Sequence, residues 1–487
     1  MSADTLIVLA LIVPVVGAGL IALTGRHPNL RETVTIVTSL VLFATVMGLL
    51  AAVLSGANPR TASVEIFAGV ELGFSVEPLG MIFAVVASSL WIVNSIYSIG
   101  YMRANDEPRQ TPFYVCFAVA ISAAIGVAFA GNLFTLFLFY EILTLSTYPL
   151  VVHKANAEAI SAGRLYLLLL LGTSMGLLLP AIVWTGVLAG TLDFVPGGIL
   201  DGKLAGTALA LLLALYVFGI GKAAIMPMHF WLPAAMVAPT PVSALLHAVA
   251  VVKAGVFVVL KVVIYIFGID LLTVTGAADW LVYVAVASLL TASLVALTKD
   301  NLKARLAYST ISQLAYVVLG AALATHWGIV GGGMQIAMHA VGKITLFFCA
   351  GAIYVAAHKT KVSELDGLGR VMPFTFAAFL IGALSIIGLP PFGGVWSKWY
   401  LALGALEARQ IAVVAVLMIS SLLNIAYLLP VPLRGFFAPT PGDRKKTVIK
   451  EAPLPCLIAI GATALGCIIL FFFPDPVFDL MQQISLR

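Results

Sequence analysis

Lys222, Lys253, Lys261, Lys343 and Lys398 each lie inside a long apolar stretch, and so does one carboxylate, Glu141. A charge at the centre of a bilayer-crossing helix costs roughly 2.5–3.5 kcal/mol even on the mildest scale. A chain that carries several such residues needs them, and the simplest need is a route for charge through the membrane. Lysine suits that task because burial disfavours the charged form of an amine. A buried lysine can alternate between ammonium and amine, taking a proton from one neighbour and passing it to the next through histidine or water. Repulsion between adjacent ammonium groups couples the steps. Two histidines are placed to help. His247 lies six residues before Lys253, with room for a water between them, and His339 shares a helix face with Lys343 at i, i+4. A lone histidine on an apolar face is more often a satisfied core residue. Two of them, each close in sequence to a buried lysine, are expected to relay.

Depth along the helices orders the set. Glu141 falls about nine residues into its span, or ~14 Å at the rise of an α-helix, which is near mid-bilayer. Its expected partner is Lys222; the alternative is a static ion pair that only fixes helix packing. Lys253 also falls near mid-span, and Lys398 follows a break towards the outer side. Lys261 is nearer the outer end of its span, where snorkelling to the interface explains it as well as function does. The expected path is therefore Glu141, Lys222, Lys253, Lys343 and Lys398, with His247 and His339 as relays.

The elements that must hold these residues are membrane helices. The chain has 487 residues, 62% hydrophobic and 10% charged, far from the ~25% charge of soluble proteins. Fourteen spans are expected, at roughly 4–24, 32–55, 77–99, 112–129, 132–152, 163–189, 206–226, 240–267, 280–298, 304–323, 328–357, 373–403, 409–433 and 453–473. The segment from Met1 to Thr24 lacks a basic start and a cleavage site, so it reads as the first span. Loop charge orients the bundle. Seventeen Lys and Arg fall in or beside the loops after odd-numbered spans and four on the opposite side, so both termini are expected outside. The net charge of +5 is a topological signal and not a nucleic-acid surface. Lys299, Lys303 and Arg305 around Asp300 read as part of that loop charge.

Spans 7 and 12 carry Pro227 and Pro233, and Gly388-Leu-Pro390-Pro391-Phe-Gly393-Gly394, and are expected to be discontinuous. They lie five spans apart, and an odd offset reverses direction, so spans 4–8 and 9–13 are expected to be inverted repeats. Ordinary proline kinks are the plainer alternative. The expected divisions are 1–109 (helices 1–3), 110–267 (first repeat and half-channel), 268–435 (second repeat and half-channel) and 436–487 (cytoplasmic loop, helix 14 and tail). Cys116, Cys349, Cys456 and Cys467 are scattered, with no CxxC and no Cys/His cluster, so neither a metal site nor a bound cofactor is expected.

Several segments resemble the antiporter-like, proton-translocating subunits shared by respiratory complex I, membrane-bound hydrogenases and Mrp cation/proton antiporters. They are Phe139-Tyr-Glu141-Ile-Leu-Thr-Leu-Ser, Lys222 through His229-Phe-Trp-Leu-Pro233, Ala238-Pro-Thr-Pro-Val-Ser-Ala-Leu-Leu-His247, Asp300-Asn-Leu-Lys303 through Thr310, His339-Ala-Val-Gly-Lys343, and Gly388 through Lys398. They occur in family order over roughly residues 110–400. The resemblance implies an all-α polytopic fold of fourteen helices with two inverted five-helix repeats. It also implies that Glu141 and Lys222 are the ion pair of the first half-channel, that Lys253 connects the halves, and that Lys343 and Lys398 serve the second. The M-type complex I pattern has Glu where this chain has Lys398, and the L-type pattern carries a long lateral helix after the last span where Pro474 to Arg487 stand here; length and end point resemble the Mrp D-type pattern best. The segment from His247 to Lys253 is more similar to the A-type or L-type pattern.

The expected function is that of a proton-conducting subunit of a multisubunit sodium/proton antiporter in the bacterial plasma membrane, with partner subunits, lipid, protons and sodium around it. The alternative is a membrane-arm subunit of a complex I-like oxidoreductase or a membrane-bound hydrogenase, with the redox site in partners. A stand-alone carrier of organic solutes predicts a more varied polar cavity than this lysine-dominated set.

Overall fold

The computed structural model describes residues 2–67, 69–439 and 448–485. The expected basic loop residues Arg444, Lys445 and Lys446, and the terminal Arg487, lie outside the described residues. The chain forms α1 (Ala3–Leu23), α2 (Pro28–Leu54), α3 (Pro78–Ala104), α4 (Gln110–Phe129), α5 (Leu133–Val151), α6 (Ala157–Ala189), α7 (Gly206–Gly219), α8 (Thr240–Phe267), α9 (Asp279–Thr298), α10 (Leu302–Ala322), α11 (His326–Ala357), α12 (Pro373–Ile387), α13 (Ile411–Phe437), α14 (Leu454–Phe472) and α15 (Asp475–Ser485). Lipid offers backbone groups no hydrogen bonds, which forces helices on any crossing segment. Among the described residues, eleven helices are long and apolar enough to cross. The remaining three crossings of the fourteen are α10, whose polar face is turned inward, and the two broken helices α7 and α12. Two short strands, β1 (Val64–Phe67) and β2 (Val70–Leu72), form a hairpin between α2 and α3. This hairpin, and the amphipathic α15 packed on α3 and α11, are additions to the expected architecture.

Helix starts follow local chemistry. Ser2, Asn132, Asn156, Asn301 and Thr325 each cap a helix by accepting a backbone N–H three residues on. Two of these caps expose the internal repeat. Asn132 opens α5 and bridges to Asp193, while Leu133 N donates to Leu192 O at 2.9 Å. Asn301 opens α10 and bridges to Lys361, while Leu302 N donates to Thr360 O at 2.8 Å. The second helix of each repeat is thus clamped in the same way to the loop after the third, on opposite faces of the bundle.

The fourth helix of each repeat is broken. α7 stops at Gly219, passes through a 3-10 turn at Gly221–Ala223 and resumes at Trp231–Ala234, the break expected of span 7. α12 stops at Ile387, turns through Gly388 at φ +86°, and resumes at Gly394–Glu407. Gly388 meets a backbone conformation that an L side chain rarely adopts. Gly394 lets the resumed helix lie on Ser385, whose carbonyl oxygen would be 1.9 Å from an added Cβ.

α8 is the axis of the bundle. Every residue of its apolar window is buried, and it packs against α3, α4, α5, α10, α11 and the turn of α7. Two π-helical turns, Leu245–Val249 and Val263–Phe267, flank its regular segment Val251–Val262, which carries both Lys253 and Lys261. Such turns widen a helix locally and recur at functional sites. Loops after even-numbered helices gather on one face, rich in carboxylates; loops after odd-numbered helices gather on the other, rich in Lys and Arg. These are called the acidic and basic faces below. The start of α1 and α15 share the acidic face.

Candidate functional site

In the first repeat, the turn of α7 lays Lys222 against α5. Its ammonium donates to Tyr140 O (2.8 Å) and Thr144 Oγ1 (2.6 Å) and lies 3.1 Å from the centre of the Tyr140 ring. The backbone N–H of Lys222 donates to Tyr140 Oη at 3.1 Å, which holds the turn in place. Glu141 is buried beside it. Among the described residues, neither of its carboxylate oxygens has a hydrogen-bond partner, and no ion pair joins it to Lys222. The expected Glu141–Lys222 pair is therefore not formed in this conformation. The lysine is instead satisfied by a carbonyl, a hydroxyl and a π face of the same helix.

At the centre, Lys253 Nζ lies 2.6 Å from His339 Nδ1. This contact joins α8 to α11, and so the first repeat to the second. The sequence pointed to His247 as the neighbour of Lys253. The structure instead packs His247 against Phe347, with ring centres 4.6 Å apart and planes tilted by 38°, and both of its nitrogens lack hydrogen-bond partners among the described residues. His247 lies in the π-helical turn that precedes the regular segment carrying Lys253.

In the second repeat, Lys343 Nζ donates to Ser309 Oγ on α10 (2.6 Å), which Tyr427 Oη of α13 also approaches (3.0 Å). Tyr427 also contacts Asn424. Lys398, from the resumed half of α12, reaches back across the break. It donates to Ile387 O (2.8 Å) and Ser421 Oγ (3.2 Å), and sits 5.0 Å from the centre of the Tyr316 ring. His339, Lys398, Gln313 and Gln335 border one narrow gap that has no room for a water molecule. Gln335 bonds both Gln313 (2.9 Å) and Ser397 (2.5 Å). Lys222, Lys253 and Lys343 are fully buried, whereas Lys398 is partly exposed.

Lys261 overturns the expectation of a snorkelling side chain. It is fully buried, with Nζ 3.0 Å from Glu77 Oε1 and donating to Ala130 O at 2.9 Å. Glu77 is thus a carboxylate engaged with a buried lysine that the sequence did not mark. Ser309, Tyr427, Thr144 and the Gln313–Gln335 pair were missed as well. Ser309, Gln313 and Tyr316 recur at i, i+4 and i+7 along α10, a polar stripe on one helix face that could have marked them.

On the basic face, Asp300 accepts from Ser363 N (2.9 Å) and Ser363 Oγ (2.7 Å), and these bonds hold its carboxyl below the usual range. Lys303 donates to Ala238 O (2.6 Å), and Arg305 to Lys299 O (2.8 Å) and Tyr427 O (3.1 Å). These residues do more than mark topology: they fasten the start of α10 to α13 and to the entry of α8. Among the described residues, no group of three or more His, Cys, Asp or Glu side chains could hold a metal ion.

Residues 130–424 match the family described as NADH:quinone oxidoreductase/Mrp antiporter, TM. The chain is 31% identical to NADH-quinone oxidoreductase subunit N of Desulforudis audaxviator over 86% of this chain and 85% of that one. It is 24% identical to the D-type subunit of the Na(+)/H(+) antiporter of Alkalihalophilus pseudofirmus over 99% and 97%. Other relatives are longer, and the chain spans between 49% and 62% of them. A chain in the structure of the Mrp complex from Dietzia sp. shares the fold, with a TM-score of 0.88, 22% identity and coverage of 100% and 97%. With more than half of its length matched, the chain belongs to the NADH:quinone oxidoreductase/Mrp antiporter membrane family.

Proposed function

We propose that this chain is the D-type, proton-conducting subunit of a multisubunit sodium/proton antiporter in the bacterial plasma membrane. The observation that carries the reading is the 2.6 Å contact between Lys253 and His339, which joins a buried lysine of the first repeat to a histidine of the second. Protons pass along Lys222, Lys253, His339, Lys343 and Lys398, with Ser309 beside Lys343. Each step exchanges an ammonium for an amine, so the line never needs to hold all its charges at once, which low dielectric would penalise. Glu141, unpaired here, is the gating partner that Lys222 reaches when it leaves Tyr140 and Thr144. Residues 110–267 and 268–435 are the two half-channels. The charge asymmetry of the loops supports a cytoplasmic basic face and both termini outside. Coverage of nearly the whole of the Alkalihalophilus antiporter protein supports the D-type assignment. That protein's name supports sodium as the exchanged ion and other subunits as partners.

The higher identity to an NADH-quinone oxidoreductase subunit N favours a second reading, in which the chain sits in a membrane arm and redox chemistry in partner subunits powers it. The two differ in what starts proton flow. The native complex, purified and reconstituted, exchanges protons for sodium without any redox substrate under the first reading. Flow that starts only with an electron donor and a quinone contradicts it and supports the second.

A further inference from the structure

A cavity of about 1060 Å³ opens on the acidic face, and Glu77, Lys261 and Tyr265 form part of its wall. Lys261 is fully buried in this wall, while Glu77 keeps some exposure. The Glu77 carboxylate is held at both oxygens. Oε1 takes the Lys261 ammonium at 3.0 Å; Oε2 accepts from Tyr265 Oη (2.8 Å) and from Leu79 N (3.1 Å) at the start of α3. The lysine is anchored by Ala130 O and lies 4.6 Å from the Phe194 ring centre. Glu71, Asp193, Asp270, Asp279 and Glu407 also line the cavity, with Arg60, Arg409 and His326, an excess of carboxylates that raises the local concentration of protons and other cations.

A buried ion pair is rarely needed for stability, since apolar residues of the same shape serve as well or better. A pair set between a water-accessible cavity and the helix that carries Lys253 has another use. We propose that Glu77 and Lys261 form the proton-exchange site through which the buried lysine line communicates with the acidic face. The proton moves from the Lys261 ammonium to the Glu77 carboxylate, so an ion pair becomes a neutral pair with no change of net charge. The Glu77 acid then releases that proton to water in the cavity. The Lys261 amine, left beside a carboxylate, takes the next proton from the direction of Lys253. Lys253 and Lys261 are eight residues apart on one regular helical segment, ~12 Å along its axis, so transfer between them goes through water. This site rests on the proton-path reading given above.

The test is cation-driven proton exchange by the whole complex in membrane vesicles, with assembly checked for each variant. Glu77→Gln and Lys261→Met are each expected to lower exchange by about tenfold or more. The double variant Glu77→Gln/Lys261→Met removes both charges together, so a purely structural pair predicts recovery, whereas an exchange site predicts that it stays inactive. Exchange at wild-type rate in the double variant, with Lys253→Ala inactive, overturns the site and leaves the path standing. Exchange at wild-type rate in Lys253→Ala overturns the path itself, and the site with it. A second measurement leaves the pair intact. Thr273→Cys places a thiol on the cavity wall, and a bulky membrane-impermeant thiol reagent is expected to stop exchange in that variant but not in the wild type. Undiminished exchange after complete labelling overturns the proposal.

Discussion

Replacing His339 is the sharpest perturbation of the line between the two repeats. Lys253 Nζ is fully buried, and its hydrogen-bond contact is His339 Nδ1 at 2.6 Å. His339→Ala strips that contact and leaves a buried amine unsatisfied, at a cost of about 1–3 kcal/mol. With tenfold for every 1.4 kcal/mol, proton-coupled exchange should fall by about 5- to 150-fold if the step through this contact limits the rate. His339→Gln separates the two roles of the ring. Its side-chain oxygen can still accept from the ammonium, but it has no titratable nitrogen. A relay leaves Gln as impaired as Ala, whereas a purely structural bond leaves it near the wild type. The assay is proton movement into vesicles on addition of the cation, followed with a pH-sensitive dye and normalised to assembled complex. Wild-type exchange in both variants refutes transfer through this contact.

Three further outcomes are expected. Ser309→Ala removes the acceptor of Lys343 and the neighbour of Tyr427; exchange should fall by about tenfold, with recovery in Ser309→Thr, which keeps the hydroxyl. Gly255→Ala would place a Cβ 2.2 Å from Ala223 N and from Lys222 C; the overpacking of about 1–3 kcal/mol should lower the melting temperature and the exchange rate together, by pushing the α7 turn off α8. Burial, and then the nearby Arg109, lower the His153 pKa from 6.5 to about 4; the unfolded chain therefore takes that proton first, so stability is complete above pH 6.5 and is lost as pH falls towards 4. Melting temperatures between about pH 7 and pH 5 should show this slope in the wild type and a flatter one in His153→Asn.

What the sequence could show, and what it could not, divides along chain distance. The breaks in α7 and α12 were legible because proline and glycine act on their own backbone, at Pro227 and Gly388. The burial of Lys222, Lys253 and Lys343 was legible because their flanks are apolar for a full helix length. Partners were not legible. His247 is near Lys253 in sequence, yet the contact is made by His339, 86 residues away. Lys261 looked interfacial because it lies near the end of a span; it is buried and pairs with Glu77, the cap of a different helix. Glu141 and Lys222 do lie side by side, but Tyr140 and Thr144 outcompete the carboxylate in this conformation. The repeat was visible as an odd offset between two broken spans. The matching clamps at Asn132 and Asn301 became visible only once the loops were placed.

The most direct test is proton flux through the assembled complex with the buried lysine of α8 removed. Lys253→Ala, with Glu141→Ala and Lys222→Ala beside it, is expected to leave assembly intact and abolish proton-coupled cation exchange. Wild-type exchange rates in these variants would contradict a proton path along the buried lysines.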